Sequence, residues 1–114
     1  MLVLSLAAPA TVGPPAHDAA LEGSITNAGT DSVDLDLVEL SPSLALEIEK
    51  ADGQPVRMLP PPTPGPHQII VLEPGDRYPV TFRSFLPPGA SSGSYRVRFR
   101  YRDVRSEWVT IMVR

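Results

Sequence analysis

The chain has 114 residues and a formal net charge of −3, which suits one domain and excludes a general binder of nucleic acid or of anionic membrane. It has no cysteine, so disulfides, zinc–thiolate sites and cysteine nucleophiles are excluded. Fourteen prolines and eight glycines imply many turns and few helices, and no apolar run approaches the roughly 18 residues of a membrane span.

Leu2, Leu4 and Leu6 alternate as a first strand would, over Leu2–Ala7. The same stretch also fits the tail of a signal peptide, but it lacks a basic leading region, and the strand is the preferred reading. Residues 9–15 read as a Pro/Gly turn. Ala19–Thr26 is the next strand, with Leu21, Gly23 and Ile25 on one face, and Asn27–Asp31 is a turn rich in residues that tolerate positive φ. Ser32–Glu39 alternates again, placing Val33, Leu35 and Leu37 inward and Asp34 and Asp36 outward. Ser41-Pro42-Ser43 breaks that run. Leu44–Lys50 follows with Leu44, Leu46 and Ile48 inward and Glu47 and Glu49 outward, and Asp52-Gly53 supplies a hairpin turn. A short strand is expected over Val56–Leu59. Pro60–Pro66 is an extended polyproline-like loop. Strands are predicted at Gln68–Leu72 and Tyr78–Ser84, separated by Glu73-Pro74-Gly75-Asp76, and a second long loop runs from Leu86 to Gly93.

Ser94–Arg102 carries the clearest pattern in the chain. Tyr95, Val97, Phe99 and Tyr101 alternate with Arg96, Arg98, Arg100 and Arg102 without a break. Successive strand side chains point to opposite faces, so this is a half-buried strand with an arginine ladder on its outer face, neighbours about 6.6 Å apart. Asp103–Ser106 is read as a turn. Glu107–Arg114 closes the domain with Val109, Ile111 and Val113 inward, which puts Trp108 outward beside the arginines, stacked on Arg98 or Arg100. A bulge that buries Trp108 is the competing arrangement. Short strands at this spacing, divided by Pro/Gly turns, make the chain all-β: one antiparallel sandwich of about seven to nine strands over residues 1–114.

Leu21-Glu22-Gly23-Ser24-Ile25-Thr26-Asn27-Ala28-Gly29-Thr30, then Leu72-Glu73-Pro74-Gly75-Asp76, Val80-x-Phe82 and Gly93-x-Tyr95-x-Val97, resemble the strand and turn phrases of bacterial immunoglobulin-like modules. The same phrases occur in the intracellular proteinase-inhibitor-like family of bacteria. The resemblance spans roughly residues 20–101 and implies an immunoglobulin-like sandwich. In such a sheet the penultimate strand lies between the third and the last, so Asp34 and Asp36 are expected opposite the arginines, with Glu47 and Glu49 extending the acidic stripe.

Arg96, Arg98, Arg100, Arg102 and Trp108 are the candidate binding residues, because guanidinium forks suit acidic partners and Arg, Trp and Met are enriched at interfaces. Nothing in the sequence points to catalysis, a cofactor or a metal. His17 and His67 have no ligand companion at metal spacing, Met58, His67 and Met112 form no paired copper motif, and the serines at 91, 92 and 94 lack a nucleophile elbow. The expected function is a non-enzymatic bacterial interaction or spacer module, with another protein or domain, or a second copy, as partner. Two alternatives remain: a proteinase inhibitor acting through loops 59–67 and 85–93, and an enzyme accessory domain touching carbohydrate through Trp108. The compartment is left open, an extracytoplasmic one being favoured if the chain is a domain of a longer protein.

Overall fold

Alternation of apolar and polar side chains gives each strand one oily face, and two sheets bury those faces against each other. The computed structural model describes residues 1–13, 20–56, 68–83, 86 and 91–114. The elements are β1 (Leu2–Ala7), β2 (Thr11–Val12), β3 (Ala20–Asn27), β4 (Val33–Asp36), a 3₁₀ turn (Leu37–Leu40), α1 (Pro42–Ala45), β5 (Leu46–Lys50), β6 (Pro55–Val56), β7 (Ile69–Leu72), β8 (Arg77–Arg83), β9 (Gly93–Tyr101), β10 (Val104–Arg105) and β11 (Val109–Val113). One sheet has the order β1-β3-β8 and the other β2-β11-β9-β5-β6, with β10 also on β9, while β4 and β7 pair separately. The pairings are antiparallel except that β2 runs parallel to β11. The fold is all-β and sandwich-like.

The core forms where the two sheets meet. Leu21 and Ile25 of β3, Phe82 of β8, and Tyr95, Val97, Phe99 and Tyr101 of β9 are all buried. Phe82 and Phe99 join the sheets edge to face, centroids 5.1 Å apart. Gly23 lies beneath that pair, and a Cβ there would sit 3.1 Å from the Phe99 ring and 3.2 Å from the Phe82 ring. Glycine at this point is therefore set by packing rather than by φ.

Asn27 is fully buried and closes one end of the sandwich. Its Nδ2 donates to the carbonyls of Asp31 and Leu72, and its Oδ1 accepts from the Gly29 amide. Its own amide donates to the Asp76 carbonyl while its carbonyl accepts from Gly75. All this polarity is satisfied, as burial requires. Gly75 turns there at φ 88°, which glycine adopts without strain.

Several expected boundaries shift. The strand begun at Ser32 ends at Asp36, because the Asp36 carboxylate accepts from the Val38 amide and caps a 3₁₀ turn. Pro42 then opens the one-turn helix α1, so β5 starts at Leu46, and Leu44, expected inward, is 43% exposed. Short strands also form inside two stretches read as turns: β2 docks on β11, and β10 folds back on β9. The largest correction concerns Asp34 and Asp36. Their strand pairs with β7, not β9, and the neighbour of β9 is β5. Met58, His17, His67, and the proline loop 60–66 lie outside the described residues, as does most of the loop from 84 to 90.

Candidate functional site

The outer face of β9 is built by its pairing with β5. That register sets Glu47 opposite Arg98 and Glu49 opposite Arg96, so acids and arginines alternate across one pair of strands. Arg96 donates through Nε and Nη2 to Glu49, with Nε at 2.8 Å from the carboxylate. Arg98 Nη2 donates to Glu47 at 2.9 Å. Arg105, brought in by β10 opposite Arg100, donates to the other Glu47 oxygen at 2.9 Å. Arg100 Nε lies 3.7 Å from that same oxygen, and its Nη2 donates to the Leu44 carbonyl at 3.1 Å. Glu47 thus serves three arginines. Burial alone would push its carboxyl up, but the hydrogen bonds and charges of Arg98 and Arg105 outweigh this and hold it below the usual carboxylate range.

Trp108 lies in the same face because of a bulge. Arg105 pairs with Arg100 and Val109 pairs with Val97. Between those pairs, Ser106, Glu107 and Trp108 span what Phe99 and Arg98 span on β9. One residue is extra, which is the mark of a β-bulge, a device that re-aims a side chain. Ser106 anchors it: its amide donates to the Phe99 carbonyl and its Oγ accepts from the Phe99 amide at 2.8 Å. Continued without the extra residue, the β10 register would have set Trp108 opposite core-facing Val97. With it, the half-buried indole lies under two guanidiniums, Arg96 Cζ at 4.6 Å and Arg98 Cζ at 4.3 Å from the ring centroid. Arg98 Nε is buried and has no hydrogen-bond partner, so the ring supplies the charge's contact on that side.

The structure therefore brings together Arg96, Arg98, Arg100 and Trp108, with Arg96 rather than Arg100 sharing the indole with Arg98. Arg102 stands apart from the ladder. It lies in the β9–β10 turn at φ 53°, stacks on the Tyr101 ring at 5.1 Å and pairs with Glu39 at 3.3 Å. The acids opposite the ladder are Glu47 and Glu49, not Asp34 and Asp36; the Asp36 amide instead donates to the Tyr101 hydroxyl at 2.9 Å. Arg105 was missed because Asp103–Ser106 reads locally as a turn. Among the described residues no group of three or more His, Cys, Asp or Glu is arranged to hold a metal ion. None of their helices is long and apolar enough to cross a membrane.

No family model matches this chain, and no curated protein does. Solved structures do. A β-glucosidase from Listeria innocua in complex with isofagomine matches with a TM-score of 0.58 at 14% identity, over 99% of this chain. Its D270A mutant in complex with laminaribiose matches with 0.58 at 14% identity over the whole chain, and the gluconolactone complex with 0.57 at 16%. This chain spans only 16% of the length of those proteins. At such identities the likeness is one of fold alone.

Proposed function

We propose that this chain is a non-catalytic immunoglobulin-like module that packs against an acidic surface of another protein or domain through Arg96, Arg98, Arg100, Arg105 and Trp108. The carrying observation is the charge balance of that face. Among the described residues, Arg96, Arg98, Arg100, Arg102 and Arg105 make ion pairs with only Glu39, Glu47 and Glu49. The guanidiniums outnumber the carboxylates they pair with, on a chain whose overall charge is negative. A carboxylate arriving from outside would find forked donors already held in place, which lowers the ordering cost of binding. The sheet orders β1-β3-β8 and β2-β11-β9-β5-β6 support the immunoglobulin-like reading, since β9 lies between β5 and the final strand.

A second reading is an accessory domain of a carbohydrate-active enzyme, and the likeness to segments of β-glucosidases favours it. The indole weighs against direct sugar stacking, because guanidiniums already lie over the ring.

Trp108 is the sole tryptophan and reports on both readings. Titration with a glutamate-rich peptide should change its emission saturably, and the change should vanish in high salt and in the Arg98→Glu, Arg100→Glu variant. Laminaribiose should leave the emission unchanged. A saturable response to laminaribiose alone favours the carbohydrate reading, and silence toward both probes leaves a spacer.

A further inference from the structure

One side of the sandwich carries a groove of about 530 Å³. Leu2 to Leu6 of β1 form one wall, and Val104, Arg105, Glu107, Trp108 and Val109 form the other. Among the described residues β1 ends its sheet, hydrogen-bonded to β3 on one side only. Most strands at the ends of the sheets are guarded. β8 carries Arg77, Pro79 and Arg83, β2 and β6 are two residues long, and β10 carries Arg105. Charges, prolines and short length are the usual means of stopping strands from adding to an edge. β1 has none of them: it is six residues long and reads Leu-Val-Leu-Ser-Leu-Ala.

We propose that β1 and its groove form a self-association seam, in which β1 of a second copy pairs antiparallel with β1 about a two-fold axis. Two features of the groove select that occupant. Its far wall carries one arginine and one glutamate, Arg105 and Glu107, and so favours an uncharged strand over an acidic or basic one. The strand is also self-complementary. A two-fold centred on Ser5 sets Leu4 of one copy against Leu6 of the other on the inner face. On the outer face it sets Val3, which is 49% exposed, against Ala7. The two three-stranded sheets then become one, in the order β8-β3-β1-β1-β3-β8. A six-residue strand pair falls short of the roughly 1,200 Å² that stable interfaces bury, so the dimer forms by concentration-dependent equilibrium. The groove shares Arg105 and Trp108 with the arginine face, but the seam itself is β1, which that face does not include.

The test is the solution mass by light scattering over about two decades of concentration around the micromolar range, with Trp108 emission followed in parallel. The mass should rise from monomer toward dimer, and the emission should shift with it because Trp108 lines the groove. Amide exchange of β1 in the unaltered chain should slow over the same range. The Val3→Lys, Ala7→Lys variant puts like charges opposite each other and should stay monomeric. An Ile69→Lys, Val71→Lys variant, altering the uncharged strand β7 at another sheet end, should dimerise unchanged. Three results overturn the proposal: a monomer at every concentration with unaltered β1 exchange, a dimer that survives the β1 lysines, or a dimer abolished by the β7 lysines.

Discussion

Glu47 is the residue on which the outer face turns. An exposed ion pair contributes only about 0.2–1 kcal/mol, and three separate pairs would add little. Here Arg98 and Arg105 hold opposite oxygens of one half-buried carboxylate, with Arg100 beside it. Removing that charge leaves the three guanidiniums facing each other, which costs more than losing one surface pair. Glu47→Gln should therefore destabilise by on the order of 1 kcal/mol at neutral pH, read from urea unfolding. The sign with pH follows from the carboxyl being held below its ordinary value of 4.5 in the folded chain. Its contribution is complete above pH 4.5 and disappears as pH falls through the lowered folded value. The gap between the parent and Glu47→Gln should thus close in acid, and a gap that stayed constant with pH would mean the carboxylate is not the source. Arg98 gains from both sides, with Glu47 at its Nη2 and the indole over its Cζ.

Among the elements, β3 and β9 decide how closely the sheets approach. Gly23 is the contact point, and its alternation with Leu21 and Ile25 was legible in the sequence as a core-facing set. That a Cβ here would crowd two rings was not legible, because those rings belong to β8 and β9. Gly23→Ala should force the Phe82–Phe99 pair apart and destabilise by about 1–3 kcal/mol, although alanine is ordinarily the better strand residue. Calorimetry checks this, and a neutral or stabilising result would mean the rings rotate to make room. The bulge in the β10–β11 segment follows the same logic. Alternation of Val109, Ile111 and Val113 left Trp108 either outward or buried by a bulge. The extra residue needed to reconcile β10 with β11 arises from pairing with β9, which local periodicity does not report.

At the scale of the whole molecule, one buried cluster draws side chains from both sheets and from β4 and β7. Asn27 bonds to the backbones of both the β3–β4 and the β7–β8 turns, and the Tyr101 hydroxyl on β9 accepts the Asp36 amide of β4. No sheet keeps a core of its own. Unfolding should accordingly be a single cooperative transition. Far-ultraviolet dichroism and Trp108 fluorescence should trace coincident curves in denaturant, whereas separated midpoints would show that the arginine face melts independently of the core.

The sequence by itself determined that this chain is all-β, where most strands lie, which face of β9 is buried, and that arginines line the opposite face. Those properties follow from a period of two and from turn chemistry, both of which act within a few residues. Only the tertiary structure decided which acids meet the arginines. Strand pairing joins segments some fifty positions apart, such as Glu47 and Arg98, and β9 pairs with β5 while β4 pairs with β7. The groove beside β1 and the glycine beneath two phenylalanines have the same origin, since each is defined by atoms from elements distant in the chain.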